Sequence, residues 1–305
     1  MVILEEQGLR DGLQSLPQIV PVEKKIEYIK ALVDAGLKRL QVVSFVHPKL
    51  VPQMADAEEV IKSLLFLRRN EATEGVIFSG LVLNVKGVER AAHAGLTHLA
   101  ISLSASNTHS LKNARMTIEQ AKAEFKTMIS VAKAANITIR GGIQCAFGCR
   151  YEGKIDEKAV YNLVKHHLDT GVDEIALADS TGMANPFQMK HMMKKILKLA
   201  KNTPVSLHLH NTENKGYANL VAALEVGVRQ FDTAFGGLGG CPFIKSATGN
   251  IATEDTAHML HQMGFETGID VKKVAAVSRD FQGFIGSELQ GLMYKLYEKE
   301  DIKIL

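Results

Sequence analysis

His208 and His210 stand two apart in the run Ser206-Leu-His-Leu-His-Asn211. Side chains at that spacing on a β-strand leave the same face, so the pair offers two imidazole nitrogens to one point. Far upstream, Arg10-Asp11 is expected to end a short apolar strand, and soon after the histidines comes a glycine-rich loop carrying Cys241 and Asn250. One oxygen ligand and two imidazoles from distant segments form the donor set that a divalent metal requires. The chemistry to which these residues point is metal-assisted.

Other side chains fit around such a centre. Arg10, beside Asp11, has a guanidinium able to stabilise an oxyanion developing near a metal; Asp11 could equally be a loop or cap aspartate. The loop Phe235-Gly-Gly-Leu-Gly-Gly-Cys-Pro-Phe243, continuing to Thr248-Gly-Asn250, has the composition of a mobile lid. A free thiol at its tip, Cys241, suits proton delivery better than packing. Asp179, in Ala176-Leu-Ala-Asp179-Ser-Thr-Gly182, reads as a catalytic or positioning carboxylate at a strand end, or as the cap of the next helix. Cys145 and Cys149 do not have a zinc spacing and read as small buried hydrophobes. Met189, Met192 and Met193 lie at helical spacing and read as core.

The elements that must position these groups alternate along the chain. Short β-rich runs are predicted at Val2 to Leu4, Arg39 to Ser44, Val76 to Leu83, His98 to Leu103, Thr138 to Cys145, Glu174 to Ala178, Val205 to His210 and Arg229 to Ala234. Helical patterns fall between and after them, at Val22 to Ala35, Ala57 to Leu67, Lys86 to Ala94, Thr117 to Asn136, Glu157 to Thr170, Asn185 to Asn202, Lys215 to Val226 and Thr253 to Gln262. Gly36, Gly95, Gly171 and Gly227 punctuate helix ends, where glycine supplies the left-handed terminating residue. Eight such units predict an α/β chain folded as a (β/α)8 TIM barrel, with its active site at the C-terminal ends of the strands. Closure places strand one beside strand eight, and strand eight beside strand seven, so Asp11 can meet the histidines across the barrel mouth. A doubly wound open sheet would give them no such meeting. Val271 to Phe281 and Ser287 to Tyr297 read as two further helices; residues 265–305 are expected to pack on the barrel as a C-terminal extension of a single domain, 1–305.

Composition narrows the class. With 305 residues, 46% of them hydrophobic, the chain can bury a large core. A net charge of +3, from 36 basic and 33 acidic residues, is too balanced for a nucleic-acid surface. Three cysteines argue against a disulfide framework and for a reducing compartment. No apolar run reaches the roughly 18 residues of a membrane helix, and no targeting pattern precedes the first strand. A soluble cytoplasmic protein is expected.

Together the motifs resemble those of the 3-hydroxy-3-methylglutaryl-CoA lyase family, metal-dependent carbon–carbon lyases built on a TIM barrel. The likeness runs the full length and is carried by Gly8-Leu-Arg-Asp-Gly-Leu-Gln14, Ser44-Phe-Val-His-Pro-Lys49, Val51-Pro-Gln-Met54, Cys145-Ala-Phe-Gly-Cys149, Tyr151-Glu-Gly-Lys154, Asp179-Ser-Thr-Gly182, His208-Leu-His-Asn211, Gly236-Gly-Leu-Gly-Gly-Cys-Pro242 and Gly249-Asn-Ile-Ala-Thr-Glu254. The resemblance implies that Asp11, His208, His210 and Asn250 hold Mg²⁺ or Mn²⁺, a set chemically suited to those metals. It implies retro-Claisen cleavage of a 3-hydroxyacyl-CoA to acetyl-CoA and a 3-oxo acid, acetoacetate for the parent compound. Arg10 would stabilise the thioester enolate, Cys241 would act near the enolate carbon, and Asp179 would assist proton movement. The base stays open among Asp11, His208 and Asp179. The substrate side would comprise Arg10, Gln14, Gln41, Gly142 and Gln144, the partner being a small acyl-CoA and the assembly a homo-oligomer, dimer or tetramer.

The substrate side departs from the family. Gln41 stands where the family has a catalytic glutamate, and an amide neither accepts a proton nor counters the charge of Arg10 as a carboxylate does. Gly142 replaces a tyrosine and Gln144 a serine on the face shared with Arg140, and His47 replaces a serine. These changes predict an altered acyl group, with room for a bulkier substituent where the ring is missing. The rival readings are a Claisen-type synthase joining acetyl-CoA to a 2-oxo acid, which would lack the Gly-Gly-Cys-Pro lid, a metallohydrolase of the amidohydrolase kind, whose histidine pair lies on the first strand, and a relative that has lost activity.

Overall fold

Eight parallel strands close on themselves in chain order: β1 (Ile3–Glu6), β2 (Arg39–Ser44), β3 (Ile77–Val82), β4 (His98–Ser104), β5 (Thr138–Gln144), β6 (Glu174–Asp179), β7 (Val205–Leu209) and β8 (Gln230–Thr233), with β1 paired to both β2 and β8. The computed structural model describes residues 1–69, 73–239 and 249–297. Around the barrel run α1 (Val22–Asp34), α2 (Ala57–Arg69), α3 (Val85–His93), α4 (Asn107–Ala114), α5 (Ile118–Ala134), α6 (Glu157–Thr170), α7 (Pro186–Ala200) and α8 (Gly216–Glu225), followed by α9 (Thr253–Gln262), α10 (Val271–Ile285) and α11 (Met293–Leu296). The (β/α)8 barrel read from the alternation is therefore the observed fold. No helix among the described residues is long and apolar enough to cross a membrane.

Local chemistry explains where the elements begin and end. Side chains of Asn84, Ser106, Thr117, Asp156, Asn185 and Asp270 accept hydrogen bonds from the first free backbone N–H groups of their helices, and Thr117 with Gln120 completes a reciprocal capping box. Gly171 and Gly286 end α6 and α10 in the left-handed conformation. The apolar core lies between sheet and helices, where Ile175, Leu177, Leu207 and Leu209 on outward strand faces are fully buried.

The barrel interior is charged, unlike the branched aliphatic layers usual for this fold. Arg39 grips Glu174 with two parallel bonds of 2.8 and 2.7 Å and donates to Glu5 at 3.0 Å. Arg140 lies 3.3 Å from Glu5 and donates to Asp232 and Ser206, both at 2.6 Å. This ladder of paired charges leads from the barrel floor to the histidines.

Two elements differ from the sequence reading. The helix expected over Ser287 to Tyr297 is confined to Met293–Leu296, because the preceding segment packs on the turn after β8: Gly291 N–H donates to the Gly236 carbonyl at 2.8 Å, and Leu289 crowds Gly236. Helix α4 had no apolar periodicity to reveal it; the Ser106 cap starts it.

Candidate active site

Arg10 and Asp11 do not end strand β1; they lie on a single π-helical turn, Gly8–Gly12, that follows it. Such turns are rare and concentrate at functional sites. The Gln7 carbonyl accepts from Asp11 N–H at 2.7 Å and from Gly12 N–H at 3.3 Å, widening the turn. Buried Glu6 anchors it: the carboxylate accepts from Gly8 N–H at 2.6 Å, Phe235 N–H at 3.0 Å and Thr253 Oγ1 at 2.6 Å. The turn carrying Arg10 and Asp11 is thereby tied to the loop after β8. Burial pushes the Glu6 carboxyl up to about 7.

Across the mouth, β7 and β8 pair with His208 opposite Asp232. His208 Nδ1 is 3.1 Å from Asp232 Oδ2, and its Nε2 is 3.0 Å from His210 Nε2. Both Nε2 atoms lie 4.0 Å from Asp11 Oδ2. The ligand atoms of Asp11, His208 and His210 thus fall within 4.8 Å of one another. Asp232 fixes the imidazole as the carboxylates behind metal-binding histidines do; burial pushes its own carboxyl up, but the charge of Arg140 and the bond to His208 outweigh this and hold it below the usual range. Burial, then the charge of His208, pushes His210 down to about 4, leaving it neutral. Burial opposes the charge of Asp11, yet Arg10 and the two imidazoles hold its carboxyl far below the ordinary range.

Asn250 completes this cluster. It bridges His210 in antiparallel fashion, and its Nδ2 donates to Asp11 Oδ2 and the Leu238 carbonyl, both at 2.9 Å. Its Oδ1 is buried without a partner. Gly239, at φ +107°, leaves the space open: a Cβ there would come 2.6 Å from Asn250 Nδ2 and 3.1 Å from Asp11 Oδ2. A carboxylate and two imidazoles converging on one point, with the carboxamide of Asn250 in contact with the carboxylate and its oxygen unsatisfied, fit a divalent cation such as Mg²⁺ or Mn²⁺.

A cavity of about 190 Å³ opens beside this cluster, lined by Arg10, Asp11, His208 and His210 and by the substrate-side residues Gln14, Gln41, Gly142 and Gln144. Arg10 is held by three acceptors: Gln41 Oε1 at 2.5 Å, Asp11 Oδ1 at 2.5 Å and Gln7 Oε1 at 2.9 Å. Two of them are neutral amides, and Asp11 is the one carboxylate of the three. A bulge in β2 between Gln41 and Val43 shifts the register where Gln41 enters the cavity. Gln14 Oε1 is buried without a partner. Beside Gly142 the space foreseen for a bulkier substituent is partly taken, since a Cβ at that position would meet Ser102 Oγ at 2.2 Å.

Asp179 is placed differently from the rest. It shares the outward parity of Ile175 and Leu177, whereas Ala176, Ala178 and Ser180 line the cavity. Both its oxygens accept backbone N–H groups, from Met183 at 3.0 Å and Ala184 at 3.1 Å, so it pins the loop leading to α7. Burial pushes its carboxyl up to about 6. Cys241 lies outside the described residues. Cys145 and Cys149 are buried and form no disulfide.

Sequence reasoning missed Asp232, Gln7, Ser102 and Asn113. For Asp232 a signal existed, the polar position in Gln230-Phe-Asp232-Thr233 on the strand beside the histidines. Asn113 had none, since it sits on the unforeseen α4.

Residues 1–281 match the HMGL-like family model. The chain belongs to the HMGL-like family. Its relatives are acyl-CoA lyases, as is this chain: it is 39% identical over 298 residues to an (R)-citramalyl-CoA lyase of Chloroflexus aurantiacus, covering 96% of this chain and 94% of that one. It is 40% identical over 273 residues to the cytoplasmic 3-hydroxy-3-methylglutaryl-CoA lyase of Rattus norvegicus, covering 90% and 78%. The solved structure of an Acinetobacter baumannii HMG-CoA lyase with coenzyme A and 3-methylmalate superposes with a TM-score of 0.92 at 39% identity, covering 100% of this chain and 98% of that one. The Bacillus subtilis HMG-CoA lyase gives 0.92 at 33% identity, with 98% of each chain covered. The HMGL-like barrel and its lyase class are thus common ground with these proteins, whose names cover two different acyl groups.

Proposed function

We propose that this HMGL-like lyase performs divalent-metal-dependent retro-Claisen cleavage of a 3-hydroxyacyl-CoA, releasing acetyl-CoA and an oxo acid. The observation that carries the reading is the convergence of Asp11, His208 and His210 on one point at the wall of a cavity that also holds Arg10. Asp11, His208, His210 and Asn250 would hold Mg²⁺ or Mn²⁺, which when bound acidifies the substrate hydroxyl and orients its carboxylate. The hydroxyl proton passes to Asp11 or His208, the candidate bases that border the cavity. As the C–O bond becomes a carbonyl, the C2–C3 bond breaks and its electron pair stays on C2. Arg10 stabilises the thioester enolate so formed. Cys241, two residues beyond Gly239, protonates C2 to give acetyl-CoA. Asp179 supports the reaction by holding the Met183-Ala184 loop.

The acyl group is a 3-hydroxy-3-methylglutaryl-like one, as in one set of relatives, or a citramalyl-like one, as in the Chloroflexus relative. Cleavage of the first yields the 3-oxo acid acetoacetate; cleavage of the second yields a 2-oxo acid. Gln41, Gly142 and Gln144 favour an acyl group other than the simple parent. Mass-spectrometric identification of the products from both thioesters tests this: acetyl-CoA with the matching oxo acid is expected, at higher kcat/KM for a compound other than 3-hydroxy-3-methylglutaryl-CoA. Recovery of both acyl-CoAs uncleaved would remove the lyase reading, and preference for the parent would remove the altered specificity.

A further inference from the structure

The cavity does not end at the wall formed by Gln144. Behind it lies a second chamber of about 20 Å³ between β4 and helices α4 and α5, with Leu103, Met116, Ala121 and Met128 in its lining. Leu83, Ser102, Asn113 and Gln144 line both spaces. A chamber of that size holds about one water molecule, so it is closed to substrate while the wall stands. Asn113 Nδ2 donates across the wall to Gln144 Oε1 at 3.4 Å, beyond the usual range for an N–H···O bond and correspondingly weak. Beside Gly142 the Ser102 hydroxyl can turn away, but Ser102 Cβ, 3.0 Å from a Cβ built at Gly142, stays with the β4 backbone, so little space is regained there. The Asn113–Gln144 contact joins two side-chain ends and parts by rotation alone.

Resting on the lyase reading above, we propose that Asn113 and Gln144 form a partition that sets the length of the substituent accepted on the carbinol carbon of the acyl-CoA. With the partition closed, the substituent is confined to the main cavity between Leu81, Ala100, Ser102 and Gly142. With it parted, the end of a short unbranched alkyl chain enters the chamber beneath α4, where it meets Leu103, Met116 and Met128, with Ser104, Ser110 and Glu124 also in the lining. The specificity determinant is therefore the strand-five glutamine and its helix-borne partner, and the missing ring at Gly142 contributes little length by itself.

The test uses the full chain supplied with Mn²⁺ and two thioesters, 3-hydroxy-3-methylglutaryl-CoA and its 3-propyl homologue, and compares the propyl-to-methyl ratio of kcat/KM in wild type, Gln144→Ala and Asn113→Ala. The ratio is expected to rise at least fivefold in both variants. A rise below fivefold in either one overturns the partition, as does a wild type that already cleaves the propyl compound as well as the methyl one. Asn113 lies on the exposed face of α4, so its removal leaves the core intact and decides the matter even where Gln144→Ala fails to fold. Wild-type protein that cleaves neither thioester would instead overturn the lyase reading, an outcome distinct from an unchanged ratio.

Discussion

At the scale of single residues, the departure at Gln41 takes on a different meaning once its contact is known. The amide oxygen already receives Arg10 Nε at 2.5 Å, so holding the guanidinium in place needs no carboxylate. What the missing charge changes is electrostatics: a glutamate would neutralise part of the positive charge that faces the forming enolate. Gln41→Glu is therefore expected to lower kcat by about tenfold, about 1.4 kcal/mol in the barrier, with KM little altered. Steady-state kinetics on a cleaved thioester measure this, and a rise in kcat would mean that Gln41 is a defect in the site. The identities of Asp11, His208 and His210 were legible because the spacing of two histidines and the closure of a barrel are both sequence-level facts. The outward turn of Asp179 was not, since one residue at a strand end reverses the face a side chain takes.

Elements bring to the site what single motifs cannot announce. Pairing of β7 with β8 sets Asp232 beside His208, where one carboxylate oxygen holds the imidazole and the other is taken by Arg140. Asp232→Asn is expected to weaken Mn²⁺ binding roughly 10- to 100-fold, the usual cost of losing such a support, read by titration with paramagnetic resonance of the free ion. Unchanged affinity would remove Asp232 from the account. The alternation of strands and helices was plain in the sequence because hydrophobic periodicity and helix-ending glycines are local signals. The π turn at Gly8–Gly12 was not, because it depends on Glu6 receiving the distant Phe235 N–H and Thr253 hydroxyl. The Asn113–Gln144 wall was hidden for the same reason: its two halves come from different elements.

Over the whole molecule, two buried carboxylates, Glu6 and Glu254, clasp the turn after β8 from opposite sides. Glu254 accepts from Gly236 N–H at 3.0 Å and Ser278 Oγ at 2.8 Å. Burial pushes its carboxyl up to about 8, as it pushes Glu6 up to about 7, both from 4.5. An acid raised on folding stabilises the fold fully below its unfolded value and loses that contribution as pH climbs through the folded one. Stability should accordingly fall by up to about 4 kcal/mol between pH 6 and 8, read from urea midpoints, and Glu254→Gln should flatten the decline. A midpoint that rises over that range would contradict the assignment. The Leu238 carbonyl just past this turn receives Asn250 Nδ2 at 2.9 Å, which ties the clasped turn to the candidate site. Carbon–carbon cleavage of the acyl-CoA is assigned to the point where Asp11, His208 and His210 meet. The most direct test of this central assignment follows acetyl-CoA release by chelator-stripped wild type and His210→Ala, each before and after addition of Mn²⁺. Release is expected from wild type only when Mn²⁺ is restored, and from the variant not at all at the same metal concentration. Equal release with and without metal, or an active His210→Ala, would contradict it.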